Sequence, residues 1–213
     1  MDISNIEVFT QSSIRIRCEA GNVYIDPFRM KDAPHDADLI LITHDHYDHF
    51  SPDDLAGVIG PSTVLVVPEK LAAKAAGTGL AFERIETVMP GRKYRIAGLS
   101  FETVASYNRL KPFHPKSAGW IGYILHTDGK RVFIAGDTDK TDENSAVACD
   151  IALVPVGGKF TMDAKEAAAL INTIRPAVAI PTHYGTIVGK KSDGDRFASL
   201  VDPAVEVRNI IRD

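Results

Sequence analysis

The run Thr43-His44-Asp45-His46-Tyr47-Asp48-His49 constrains this chain more than any other feature: three imidazoles and two carboxylates fall within six residues. It follows directly on Asp38-Leu39-Ile40-Leu41-Ile42, an apolar stretch that reads as a buried strand, so the cluster belongs to the loop at the strand's end. In extended backbone, residues two apart share a face, so His44, His46 and Asp48 can converge while His49 points another way. One short loop could therefore present ligands to two adjacent metal ions. The competing reading is a chance solvated cluster. Histidine is scarce and is the common side-chain ligand of divalent metals, which argues against chance.

The 213 residues suit one domain spanning positions 1–213, and 45% hydrophobic with 24% charged residues is ordinary for a soluble fold. A net charge of −4 gives no reason to expect a nucleic-acid partner. Cys18 and Cys149 cannot make a disulfide framework and read as small buried hydrophobes. Met1-Asp2-Ile3-Ser4 lacks the basic start and apolar run of a secretory signal, and no apolar run approaches the roughly 20 residues of a membrane span. A soluble, cytoplasmic protein without a membrane partner is expected.

Strands are predicted over Ile6–Thr10, Ile14–Cys18, Asn22–Ile25 and Leu39–Thr43, with Gly21-Asn22 as the turn between the second and third. Ser51 caps a helix opened by Pro52. Thr63–Val67 is a buried strand, followed by an Ala-rich helix from Pro68 to Ala76 that stops at Gly77. Strands recur over Ile85–Phe101, and Trp120–His126 and Arg131–Ala135 are joined by an Asp128-Gly129 hairpin. Ile151–Val156 is a continuous apolar strand, and Asp163 to Glu166 forms a capping box for a helix reaching Ile174. Ala177–Ile180 and Val205–Ile210 complete the strands. Strand runs with helices between the later members predict an α+β fold with two sheets flanked by helices.

The remaining acids and histidines repeat one placement. Asp26 follows the strand at Asn22–Ile25, Asp137 follows Arg131–Gly136, and His183 follows Ala177–Thr182. A lone Asp at such a place is usually a turn former. Four strand ends carrying the same residue types instead suggest one site fed by several strands.

Taken in order, Asp26, His44-x-His46-x-Asp48-His49, His114, Gly136-Asp137-Thr138 and Pro181-Thr182-His183 resemble the five motifs of the metallo-β-lactamase superfamily, over residues 3 to 190. Val156-Gly157-Gly158-Lys159-Phe160-Thr161-Met162-Asp163 and Ile180-Pro181-Thr182-His183-Tyr184 look like the small branch of zinc-dependent hydrolases related to ascorbate-6-phosphate lactonase. The resemblance implies a four-layer αβ/βα sandwich, the metallo-β-lactamase fold, with a dinuclear site at the rim between two sheets. His44, His46 and His114 would bind a first metal; Asp48, His49 and His183 a second; Asp137 would bridge both. Asp26 would hold the His44–His49 loop without ligating. Tyr107 or Asn108 could stand nearer the third-histidine position, leaving His114 to bind substrate. His114 is preferred, because a first-row metal takes imidazole more readily than an amide. His35 and His126 match nothing and are expected at the surface.

Two cations about 3.5–4 Å apart can hold a hydroxide between them and polarise the oxygen under attack. The nitrogen and oxygen donors permit two Zn, Mn or Fe ions, with zinc the first expectation. Asp48 would orient the attacking water. Tyr184, beside His183, could donate to a developing oxyanion, and Lys159 after Gly157-Gly158 could hold an anionic group, as could Arg109, Lys111 and Lys116 around His114. Gly157-Gly158-Lys159 lacks the spacing of a phosphate-binding P-loop. Trp120 and Tyr123 read as core.

The expected activity is hydrolysis of an ester, lactone or phosphoester of a small anionic metabolite. A nuclease or phosphodiesterase of the same fold acting on RNA or cyclic nucleotides is the alternative, opposed by the absence of a basic stripe. A non-catalytic metal-binding protein is the third. The short spacing between motifs leaves little room for a lid, which favours an open pocket or one completed by a second copy in a homo-oligomer.

Overall fold

The computed structural model describes residues 1–212. The first sheet comprises β1 (Ile6–Val8), β2 (Ile14–Cys18), β3 (Gly21–Ile25), β4 (Ala37–Leu41), β5 (Ile59–Pro68) and β6 (Arg84–Val88), hydrogen-bonded in sequence order. It starts as an antiparallel meander and becomes parallel from β3 onward. The two helices between its later strands are α1 (Pro52–Val58) and α2 (Ala72–Ala76). The second sheet takes β7 (Lys93–Ile96), β8 (Leu99–Ala105), β9 (Ile121–Thr127), β10 (Lys130–Ile134), β11 (Ile151–Pro155), β12 (Val178–Thr182) and β13 (Glu206–Val207). It too begins antiparallel and turns parallel, here from β10. Its helices are α3 (Asp142–Ser145), α4 (Ala164–Ile174) and α5 (Asp193–Leu200).

Alternation along the strands builds the layers. Ile14, Ile16, Val23, Ile25, Leu39 and Leu41 face Phe101, Tyr123, Leu125, Ile134, Leu153 and Ile180 across the interior between the sheets. Tyr24, Ile40 and Leu65 point outward beneath Leu55 and Val58 of α1 and Ala75 of α2. On the other side Phe133, Ala152 and Val154 lie under Ala167, Leu170 and Ile171 of α4 and Phe197 of α5. The architecture is therefore α+β, helix–sheet–sheet–helix. No helix among the described residues is long and apolar enough to cross a membrane.

Two local signals act as their chemistry requires. Ser51 caps α1 with Pro52 in its first turn. Asp163 accepts from the backbone N–H groups of Lys165 and Glu166, and Glu166 closes the box. Three expectations shift. The β2–β3 turn is Glu19-Ala20, because Cys18 already pairs with Gly21 across the ladder. The last strand shrinks to Glu206–Val207. Helices α3 and α5 were not anticipated, although Thr141 and Asn144 form a capping box.

Candidate metal centre

The loop after β4 is pinned from below. Asp26 is fully buried at the end of β3 and accepts from the Thr43 N–H at 2.8 Å, from Thr43 Oγ1 at 2.6 Å and from His49 Nδ1 at 2.7 Å. Thr43 Oγ1 also lies 3.0 Å from His44 Nδ1. The Nδ1 atoms of both His44 and His49 are thus engaged, which turns their Nε2 atoms toward the rim. The N–H groups of His49 and Phe50 both return to His46 O, tightening the loop ahead of α1. Asp45 faces outward toward Lys74.

The second sheet completes the cluster. Gly136 places Asp137: its φ is +64°, and a Cβ there would come within 3.0 Å of Ile121 O and 3.2 Å of Thr43 Cβ. This close approach brings β10 against the end of β4. Asp137 Oδ1 lies 3.3 Å from His49 Nε2, and Oδ2 lies 3.4 Å from His114 Nε2, 3.3 Å from His183 Nε2 and 3.9 Å from His44 Nε2. His44 Nε2 is 3.1 Å from His46 Nδ1, and Asp48 Oδ2 is 3.4 Å from His183 Nε2 and 3.8 Å from His49 Nε2. All seven residues meet, and their donor atoms fall into two groups: His44, His46, His114 and Asp137, and Asp48, His49 and His183. Asp26, His44 and His49 also approach one another. The Asp26 oxygens are already consumed by hydrogen bonds, so this trio supports the cluster and is no further site.

His114 joins the group, and Tyr107 and Asn108 do not. The Tyr107 hydroxyl donates to Glu143 at 2.8 Å. The Asn108 amide lies 3.2 Å from His114 Nδ1, leaving Nε2 to face the cluster. Asp26, His114 and His183 have φ values of +46°, +60° and +57°. Such backbone is costly for non-glycine residues and here orients three residues of the cluster. Gly157 makes room for the last of them, since a Cβ there would come within 2.2 Å of His183 O.

The electrostatics suit cations. His49 Nε2, His114 Nε2 and Asp137 Oδ1 are buried without a hydrogen-bond partner, although they converge. Buried polar atoms normally find a partner, so this group fits a cation as the missing one. Burial alone would push Asp137 up, yet the imidazoles of His183 and His49 hold its carboxyl well below the usual range. Burial likewise opposes ionisation of Asp48, but His183 and His49 bring it down to about 2. Burial and the charge of His49 push His44 well below the ordinary imidazole value, whereas Asp137 and Asp26 outweigh burial at His49 and raise it.

A pocket opens over the cluster, with His46, Asp48, Asp137 and His183 as floor and Tyr47, Phe113, Phe160, Ile187 and Val188 as walls. Tyr184 does not line it. Its ring is 5% exposed and packs with Val156 and Phe197, the hydroxyl lying against Gly194 of α5. The proposed oxyanion donor is thus turned onto the other face of its sheet. Lys159 is exposed in its loop, φ +58°, with Nζ 4.8 Å from the Phe160 ring. The other expected cations face acids: Arg109 meets Asp142 at 3.0 Å, Lys116 meets Glu143 at 2.5 Å, and Lys111 meets Asp139 and Glu166.

Two site residues escaped sequence reasoning. Trp120, expected in the core, packs its ring 4.9–5.2 Å from those of His44, His46 and His114, tilted against the first and edge to face with the other two. Gln11 is fully buried with φ +59°; its Nε2 lies 3.4 Å from His183 Nε2 and 3.5 Å from Asp48, and its carbonyl accepts from the His183 N–H. Neither belongs to a motif. His35 is exposed as expected, and His126 is half-exposed beside Glu102.

Residues 5–183 match the family model described as the beta-lactamase superfamily domain. The UPF0173 metal-dependent hydrolase of Methanopyrus kandleri is 30% identical over 206 residues, covering 90% of this chain and 88% of that one. The corresponding Thermoplasma acidophilum protein is 32% identical over 194 residues, covering 84% and 83%. The crystal structure of a provisionally assigned metal-dependent hydrolase from Parabacteroides distasonis superposes with a TM-score of 0.82 at 29% identity, covering 97% of this chain and 91% of that one.

Proposed function

This chain belongs to the metallo-β-lactamase superfamily and is a metal-dependent hydrolase, and from that premise we propose that it cleaves an ester, lactone or phosphoester bond of a small molecule at a dinuclear site. The observation that carries the reading is the reach of Asp137, whose two oxygens approach histidines of both donor groups. His44, His46 and His114 would hold one divalent cation and Asp48, His49 and His183 the other, with Asp137 between them. Imidazole and carboxylate donors suit zinc first, and manganese or iron as well. Two such cations supply Lewis acidity and lower the pKa of water.

The chain's own residues do the rest. Asp48, ionised and facing the pocket, would accept a hydrogen bond from the attacking water and orient it. Asp26 and Thr43 keep the His44 and His49 rings in place, so little reorganisation accompanies reaction. Lys159, at the outer side of Phe160, is the residue that would meet an anionic end of the substrate.

Elemental analysis should give two metals per chain. Hydrolysis of p-nitrophenyl acetate or bis-p-nitrophenyl phosphate should vanish with chelator and return on adding zinc, manganese or iron. Full metal occupancy with no turnover of either would overturn the proposal.

A further inference from the structure

The pocket combines an ionic floor with hydrocarbon walls. Tyr47 is 64% exposed and Phe113 45%, beside Ile187 and Val188, in a cavity of about 210 Å³ directly over the cluster. Each ring has an aromatic neighbour. Phe113 meets Phe160 edge to face at 4.8 Å, and Tyr47 meets Phe28 at 6.0 Å. Contiguous exposed apolar surface of this kind marks a binding site. Arg109, Lys111 and Lys116 meanwhile turn to acidic side chains, so a compact polyanion would find few partners at this mouth.

From this juxtaposition we infer that the substrate carries an apolar acyl or aryl group next to the scissile bond, seated between Phe113 and Phe160 on one side and Tyr47 and Ile187 on the other. The inference rests on the hydrolase reading and names the substrate class for the same site. In the reaction the water oxygen bonds to the acyl carbon as the ester C–O bond breaks. One water proton leaves on the alcohol, and the other is released from the acid product.

The test uses the zinc-loaded full chain and two readouts. Trp120 is the only tryptophan and lies against three of the cluster histidines, so its fluorescence reports ligands entering the site. Titration with acetate, butyrate, hexanoate and octanoate should show affinity tightening about fourfold per added methylene until the pocket is full. The KM for the matching p-nitrophenyl esters should fall in parallel. Phe113→Ala and Ile187→Ala should each flatten both series. Affinity independent of chain length, or tighter binding of inorganic phosphate than of octanoate, would overturn the inference. So would a homodimer dispersed by Phe113→Ala, which would assign the apolar wall to a second copy. Chain-length-dependent binding with no turnover of any ester or phosphoester would uphold the apolar seat and sink the hydrolase reading instead.

Discussion

The two halves of the molecule share a plan and use it differently. Each is an antiparallel meander that turns parallel, and each delivers donors from the ends of its strands. The first half supplies His44, His46, Asp48 and His49 from one tight loop braced by Asp26. The second supplies His114, Asp137 and His183 from three loops, two of them on left-handed backbone. A contiguous loop makes a recognisable motif; only the meeting of both halves makes a site in which one carboxylate faces four imidazoles.

If that contrast holds, the largest effect belongs to Asp137. Asp137→Ala should empty both donor groups and reduce hydrolysis to that of the chelator-treated protein, whereas His46→Ala should leave the Asp48, His49 and His183 group loaded. Metal content by elemental analysis distinguishes them; equal metal loss in the two variants would erase the asymmetry. Asp26→Ala comes next, weakening metal affinity by about 10–100-fold through loss of the brace on His49 and Thr43. A titration indistinguishable from wild type would remove Asp26 from the account.

Acidity should separate the two groups more gently. In the metal-free protein His44 and His46 have lowered pKa values and are neutral near pH 7, whereas His49 is raised and keeps its proton. Metal at His49 must displace that proton, so affinity there should climb as pH rises through neutrality while the His44 group changes less. Calorimetry in buffers of different protonation enthalpy reads the released proton, and equal pH dependence at both groups would contradict the assignment. The smallest effect lies outside the site: Asp163→Ala should cost about 1 kcal/mol of stability by uncapping α4, with catalysis unchanged. A comparable loss of activity would tie α4 to the chemistry.

The same contrast explains what the sequence made legible. The His44–His49 loop is local chemistry on a predictable strand end, and Asp137 and His183 share its placement. His114 had no local signature, because its position comes from the course of the 106–120 loop and a left-handed turn. Gln11 and Trp120 reach the site by tertiary approach alone. Tyr184 failed for the opposite reason: it adjoins His183 in the chain, but both lie past the end of β12, where His183 takes left-handed backbone, and the Tyr184 ring goes to the α5 side. Lys159 lies on an exposed turn whose side chain no periodicity could direct. The apolar strand pattern, by contrast, marked most of the strands, but not their order in the two sheets, the division of residues 85–101 among β6, β7 and β8, or the short helices α3 and α5.

The most direct measurement is anomalous diffraction from crystals of the metal-loaded protein. Two peaks should be found, one among His44, His46 and His114 and one among Asp48, His49 and His183, with the Asp137 carboxylate contacting both. A single peak held by the His44–His49 loop alone, with Asp137 and His183 out of coordination range, would contradict it.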